Sequence, residues 1–184
     1  MQSLNELTGL HLEWREPKAM QQRYELRSGS AHYATLEFQS SWDTAATATT
    51  GMGTWDFQRT GLLNPQVTVR APGVEADLAV FRTRFWGEGV LTLADGTAYH
   101  WRPVNTWNTR WAFFDSGDRP LVTFHTGVPM ESFSDLFRNQ SSVFLDPSAL
   151  KHPHLGLLVT LGWYLHLLHQ VDAANSTAAL VAIM

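Results

Sequence analysis

The sequence predicts a mainly β protein: a closed antiparallel barrel of about twelve short strands enclosing a hydrophobic α-helix near the C-terminus. Three observations carry this. Residues 10–146 read as short apolar–polar alternations separated by turn signals. The stretch HLGLLVTLGWYLHLLHQ, His154 to Gln170, is apolar around nearly its whole helical circumference. Its uninterrupted apolar part is also shorter than the about 20 residues that a membrane-spanning helix needs.

Taken in chain order, the first strand is His11–Trp14. RYELRSGSAHYATLEF holds two runs joined at Ser28-Gly29, a pair that supplies the positive φ of a tight hairpin. In the second run Tyr33, Thr35 and Glu37 alternate with Ala34, Leu36 and Phe38, a period of two. Thr44 to Thr50, TAATATT, reads as a strand of small side chains, and Thr49–Phe57 as the next extended segment. Gln66–Arg70 and Glu75–Phe85 follow, then VLTLADGTAYHW, a hairpin turning at Asp95-Gly96. Arg110–Asp115, Leu121–His125 and Ser142–Leu145 complete the set. No linker or low-complexity tract divides the chain, so residues 1–184 read as one domain.

After Pro147 the pattern changes. His152-Pro153 marks a helix start, since proline suits a first helical turn, and the helix is expected over about 153–170. Leu155, Leu157, Val159, Trp163, Leu165, Leu167 and Leu168 spread around the wheel, which requires burial on all sides. His166, His169 and Gln170 would be costly at bilayer depth, so a core helix is expected and no transmembrane segment. A barrel of about twelve strands is too wide for side chains alone to fill. One helix of about 10–12 Å diameter fills it. Gly156 and Gly162 then let the helix backbone approach the wall.

Composition narrows the function classes. The chain is 44% hydrophobic and 16% charged, a globular balance, and its eight Trp and ten Phe suit half-buried pleated surfaces. A net charge of -4 gives no electrostatic reason to expect nucleic acid. Cysteine is absent, which removes disulfides and thiolate chemistry and is compatible with a reducing cytoplasm. The N-terminal MQSLNELTGLHLEW shows no secretory pattern, so the expected location is cytoplasmic, with peripheral membrane contact as an option.

YELRSGSAHYATLEF, GTWDFQRTG, GVLTLADGTAYHWRP, NTWNTRWAFFD and the closing HLGLLVTLGWYLHLLHQ, in that order, resemble the tubby-like C-terminal fold. That superfamily comprises tubby domains, phospholipid scramblases and LURP-one-related proteins, and the likeness is closest to small bacterial members. The resemblance implies a twelve-stranded barrel around a C-terminal helix, and contact with anionic phospholipid. The family's functional segments do not transfer residue by residue. There is no dense basic block, the only lysines being Lys18 and Lys151. SSVFLDPSALKHPH, before the helix, contains Asp146 as its one acidic residue, and proline-rich and cysteine-rich segments are missing.

Residue chemistry offers several candidate sites. Arg82 and Arg84 in VFRTRFW fall on one strand face, with Phe81, Thr83 and Phe85 on the other. With Arg102 they offer a place for a phosphate or carboxylate headgroup, against the blander expectation of a solvated face. His166 and His169 stand three apart, a spacing that brings two imidazoles onto one metal or leaves both hydrogen-bonded near the barrel mouth. No metal and no cofactor are expected. DSGD, Asp115 to Asp118, reads as a turn rather than a calcium loop. Trp101, Trp107 and Trp111 are expected to pack the wall or cover a barrel end.

The expected function is a non-enzymatic binding or scaffold module touching phospholipid headgroups or a small apolar ligand. One alternative is a small-molecule enzyme at a barrel mouth, with His100, His125 or Asp115 as acid–base groups. The other is a structural protein that assembles with copies of itself. Because the helix fills the interior, a site belongs on the outer wall or at a mouth.

Overall fold

The computed structural model describes every residue except 8, 19–20, 41–43, 62–63, 85–86, 127–140 and 182–184, and omits the side chains of 126 and 174–181. Twelve strands form the wall: β1 (His11–Arg15), β2 (Arg23–Ser28), β3 (Ala31–Phe38), β4 (Ala46–Thr50), β5 (Gly53–Thr60) and β6 (Gln66–Arg70). They continue as β7 (Asp77–Thr83), β8 (Gly89–Leu93), β9 (Ala98–Pro103), β10 (Arg110–Phe114), β11 (Pro120–Thr126) and β12 (Ser141–Leu145). Each pairs antiparallel with its sequence neighbour, and β1 pairs with β12, His11 opposite Phe144 and Trp14 opposite Ser141. The closed, approximately twelve-stranded antiparallel barrel expected from sequence is the fold. Closure leaves no strand edge unpaired.

Two turns show how local chemistry sets register. The β2–β3 loop is Gly29-Ser30, one residue later than the sequence suggests, with Ser28 opposite Ala31 and Gly29 at φ 57°. In the β8–β9 hairpin Asp95 Oδ1 accepts from the Thr97 N–H at 2.8 Å and Gly96 takes φ 88°. The expected Thr49–Phe57 segment is instead split by a turn at Gly51-Met52, where Thr50 Oγ1 accepts from the Met52 N–H at 2.9 Å. TAATATT does supply a strand, β4, as its composition implied. β7 begins at Asp77 rather than Glu75, and Phe85 lies outside the described residues.

The helix α1 (Leu155–Val181) starts two residues later than expected and runs past Gln170, since nothing in VDAANSTAALV breaks a helix. Asp146 caps the preceding 3-10 helix, Pro147–Lys151, by accepting from the Ser148 N–H. From Leu155 to Leu165 every α1 side chain is buried, whichever way it faces. The helix packs on β3, β4, β5, β10 and β11. Ala46 and Ala48 of β4 are small enough to admit it closely. Its two glycines mark the nearest approaches, Gly156 beside Thr50 and Trp55, Gly162 against the Phe124 ring. Thr160, fully buried, donates its hydroxyl to Gly156 O at 2.8 Å, which satisfies it within the helix. Trp163 stacks on Trp14 with ring centroids 5.8 Å apart.

Beyond Leu168 the helix leaves the barrel, and Gln170, Val171, Asp172 and Ala173 are exposed. No helix among the described residues is long and apolar enough to cross a membrane.

Candidate functional site

Strand direction gives the barrel two ends. At the mouth where α1 begins, Tyr99 points inward and its hydroxyl lies 2.8 Å from His154 Nδ1 and 3.4 Å from His152 Nε2. Burial, with the charges of Asp95 and Asp115, pushes the Tyr99 phenol up to about 12, so it stays protonated. Burial also lowers His152, reinforced by His154. This cluster is satisfied internally and anchors the helix start.

The mouth where α1 leaves is different. A cavity of about 170 Å³ opens there between α1, the ends of β5, β6, β7, β9 and β10, and Gly87. Its apolar wall is Val67, Phe81, Trp101, Trp111, Leu165 and Leu168. Trp101 and Trp111 stack with centroids 5.6 Å apart and planes 21° apart. The Trp111 indole N–H donates to Asn108 O at 3.0 Å, which fixes that ring. The polar groups of the lining are Arg59, Thr83, His166, His169 and Asp172, the His169 ring lying 6.1 Å from that of Trp111. Arg59 Nη1 is 2.8 Å from Asp172 Oδ1, tying β5 to the emerging helix.

His166 and His169 both line this cavity, and the partner of His166 is Gln170 on the same helix rather than the wall backbone expected. The Gln170 amide nitrogen lies 2.9 Å from His166 Nε2, so that nitrogen accepts and the ring proton resides on Nδ1. Burial, reinforced by His169, holds His166 down to about 4, and the ring is neutral at pH 7. Among the described residues no group of three or more His, Cys, Asp or Glu side chains gathers to hold a metal.

The depressed value has a consequence for stability. In the unfolded chain His166 titrates near the ordinary 6.5, so protons bind the unfolded state preferentially below that pH. Stability is full above about 6.5 and is lost as pH falls toward about 4. Between pH 7 and pH 5 the loss from this ring should be about 2 kcal/mol. Thermal unfolding of the native protein and His166→Gln at both pH values checks it; the variant should show a visibly flatter dependence. Equal slopes would remove His166 as the source.

The arginines are placed less compactly. Arg82 is exposed on the outer face of β7 and Arg84 is exposed just beyond the strand, while Phe81 points inward, as the alternation requires. Arg102 lies on the outer face of β9, its guanidinium carbon 4.0 Å from the Phe114 ring centre and its Nη2 paired with Asp118 at 2.5 Å. Phe114 pairs with His100, two residues before Arg102, so this side chain leans away from Arg84's end of the barrel. The three do not converge.

Two of the acid–base candidates stand apart. His100 is opposite Phe114 and His125 opposite Arg110, four residues apart along β10, or about 13 Å. Asp115 closes the β10–β11 turn, accepting from the Gly117 and Arg119 N–H groups at 2.9 Å each. The Arg119 backbone N–H and guanidinium hold its carboxyl below the usual range, which suits a turn and not a base.

Sequence reading missed Arg59, Trp101, Trp111, Leu168 and Asp172 as members of one site. Arg59 did carry a signal: it shares parity with the inward Phe57, placing an arginine on the interior face of β5. No protein-family model matches the chain, and neither a curated protein nor a solved structure does.

Proposed function

We propose that this chain is a non-catalytic binding module of tubby-like architecture whose ligand, a small molecule with an apolar body, sits in the cavity where α1 leaves the barrel. The observation that supports this is the aromatic cavity itself, lined by the Trp101–Trp111 stack together with Arg59, Thr83, His166, His169 and Asp172. Apolar pockets with a few convergent polar groups are the usual form of ligand sites. His100 and His125 stand apart along β10, and the Asp115 carboxyl is held in its own turn, which favours binding over catalysis.

Titration with neutral single-ring probes such as phenol, followed by Trp fluorescence and thermal shift, tests the reading. A probe at a hundred times its dissociation constant should stabilise the fold by about 2.7 kcal/mol. Leu168→Trp, which fills the cavity, should abolish the response. A response that survives in this variant would place binding elsewhere and overturn the reading.

A second reading, peripheral contact with anionic phospholipid, is favoured by Trp107. This side chain is 85% exposed on the β9–β10 loop at the same end of the barrel, with Val104 exposed beside it. The loop is firm: Asn105 Oδ1 accepts from the Thr109 and Arg110 N–H groups at 3.1 Å each. An indole held out in this way suits a membrane interface. Arg82 and Arg84, exposed two strands away, add positive charge. Sedimentation with anionic vesicles should then be weak and should vanish near 1 M salt, where screening reaches about 3 Å. It should also be reduced by Trp107→Ala and by combined alanine substitution of Arg82, Arg84 and Arg102. Binding unchanged by all four substitutions would reject the surface.

A further inference from the structure

We propose that the cavity ligand is a compact aromatic carboxylate, and that Asp172 occupies the ligand's carboxylate position on Arg59 in the free protein. This rests on the cavity reading above and names its ligand class.

Size is the first argument. At about 170 Å³ the cavity suits one ring, since an engineered apolar cavity of about 150 Å³ takes benzene. Shape is the second. The stacked Trp101 and Trp111, with Phe81 also in the lining, present ring faces and edges on which a flat ring packs in offset or edge-on geometry.

Charge decides the class. Among the described residues Arg59 is the one permanently cationic side chain of the lining, and Asp172 the one carboxylate. The guanidinium has five N–H donors, and its fork matches a carboxylate through two parallel bonds. Arg59 meets Asp172 through Nη1, 2.8 Å from Oδ1. The two side chains are 26% and 50% exposed, and an ion pair so open to water is held weakly.

Asp172 also sits where it is able to yield. It belongs to the exposed part of α1 beyond the barrel, so a rotamer change moves its carboxylate into water without disturbing the core. A carboxylate arriving on a ring is held by the cavity wall as well as by Arg59, and exchanges one anion for another on the same cation. A neutral ligand offers no such exchange and leaves Asp172 in place. His166, neutral through its burial, adds no competing positive charge.

Phenylacetate and its neutral isostere phenylacetamide separate the possibilities when titrated into the native protein, Asp172→Asn and Arg59→Gln, with Trp fluorescence and calorimetry as readouts. Thermal unfolding of both variants is measured alongside, so that a change in fold stability is told apart from a change in binding. Phenylacetate should bind the native protein about tenfold more tightly than the amide, and Asp172→Asn should tighten phenylacetate by about tenfold more while leaving the amide unchanged. Arg59→Gln should erase the preference for the acid. If both probes bind equally and Asp172→Asn alters neither, the carboxylate assignment is wrong while the cavity reading stands. If neither probe binds native or Asp172→Asn protein at millimolar concentration, the cavity reading falls and this inference with it.

Discussion

Leu161→Asp should prevent folding altogether. Leu161 is fully buried and belongs to the hydrophobic core cluster that joins helix and wall. A carboxylate there would be stranded in apolar surroundings, at a cost of several kcal/mol against a total stability of about 5–15 kcal/mol. The same holds for Trp163, which faces another side of the helix and is equally buried. Truncation is graded: Leu161→Ala, Trp163→Ala and Leu165→Ala should each cost about 2–5 kcal/mol through lost burial and the cavity left behind. In a helix with one wet face, at least one of these three would be tolerated. Soluble expression and thermal unfolding of the four variants decide the matter. A cooperatively folded Leu161→Asp protein would mean that the barrel does not close around the helix.

Gly162→Ala should destabilise the fold by about 1–3 kcal/mol, against the usual direction of that exchange. In an ordinary helix interior, alanine is better than glycine by about 1 kcal/mol. Here a Cβ would meet two atoms of the Phe124 ring closer than 3.0 Å, a separation real Cβ atoms essentially never show. Phe124 has no room to retreat, being fully buried and packed edge-on to Trp101 with centroids 5.5 Å apart. Combining Gly162→Ala with Phe124→Leu should recover part of the loss, a coupling that a double-mutant cycle measures. Ala173→Gly, on the exposed part of the same helix, provides the opposite sign, a loss of about 1 kcal/mol from propensity alone. A neutral or stabilising Gly162→Ala would show that the helix stands further from β11 than this packing allows.

What was legible before folding followed from local pattern. Gln66–Arg70 and the Asp95-Gly96 hairpin are visible because side-chain alternation and turn chemistry act within a few residues. The helix was equally visible as an element with no polar face, which only a surrounding wall satisfies. The Gly51-Met52 turn was not, because TAATATT and its neighbours offer too little apolar–polar contrast to mark where one strand stops. The end of α1 was missed because leaving the barrel changes the helix's surroundings without breaking its backbone.

Local sequence encodes the alternation of the wall and the all-apolar plug, since each depends on residues a few positions apart. Tertiary structure decided the site. Arg59 and Asp172 are 113 positions apart, and Trp101 and Trp111 lie on neighbouring strands. They surround one cavity because barrel closure fixes strand register and the helix emerges at that mouth. Register and exit point depend on all twelve pairings and on how far Gly162 lets the helix lean toward Phe124, and no short window of sequence contains that sum.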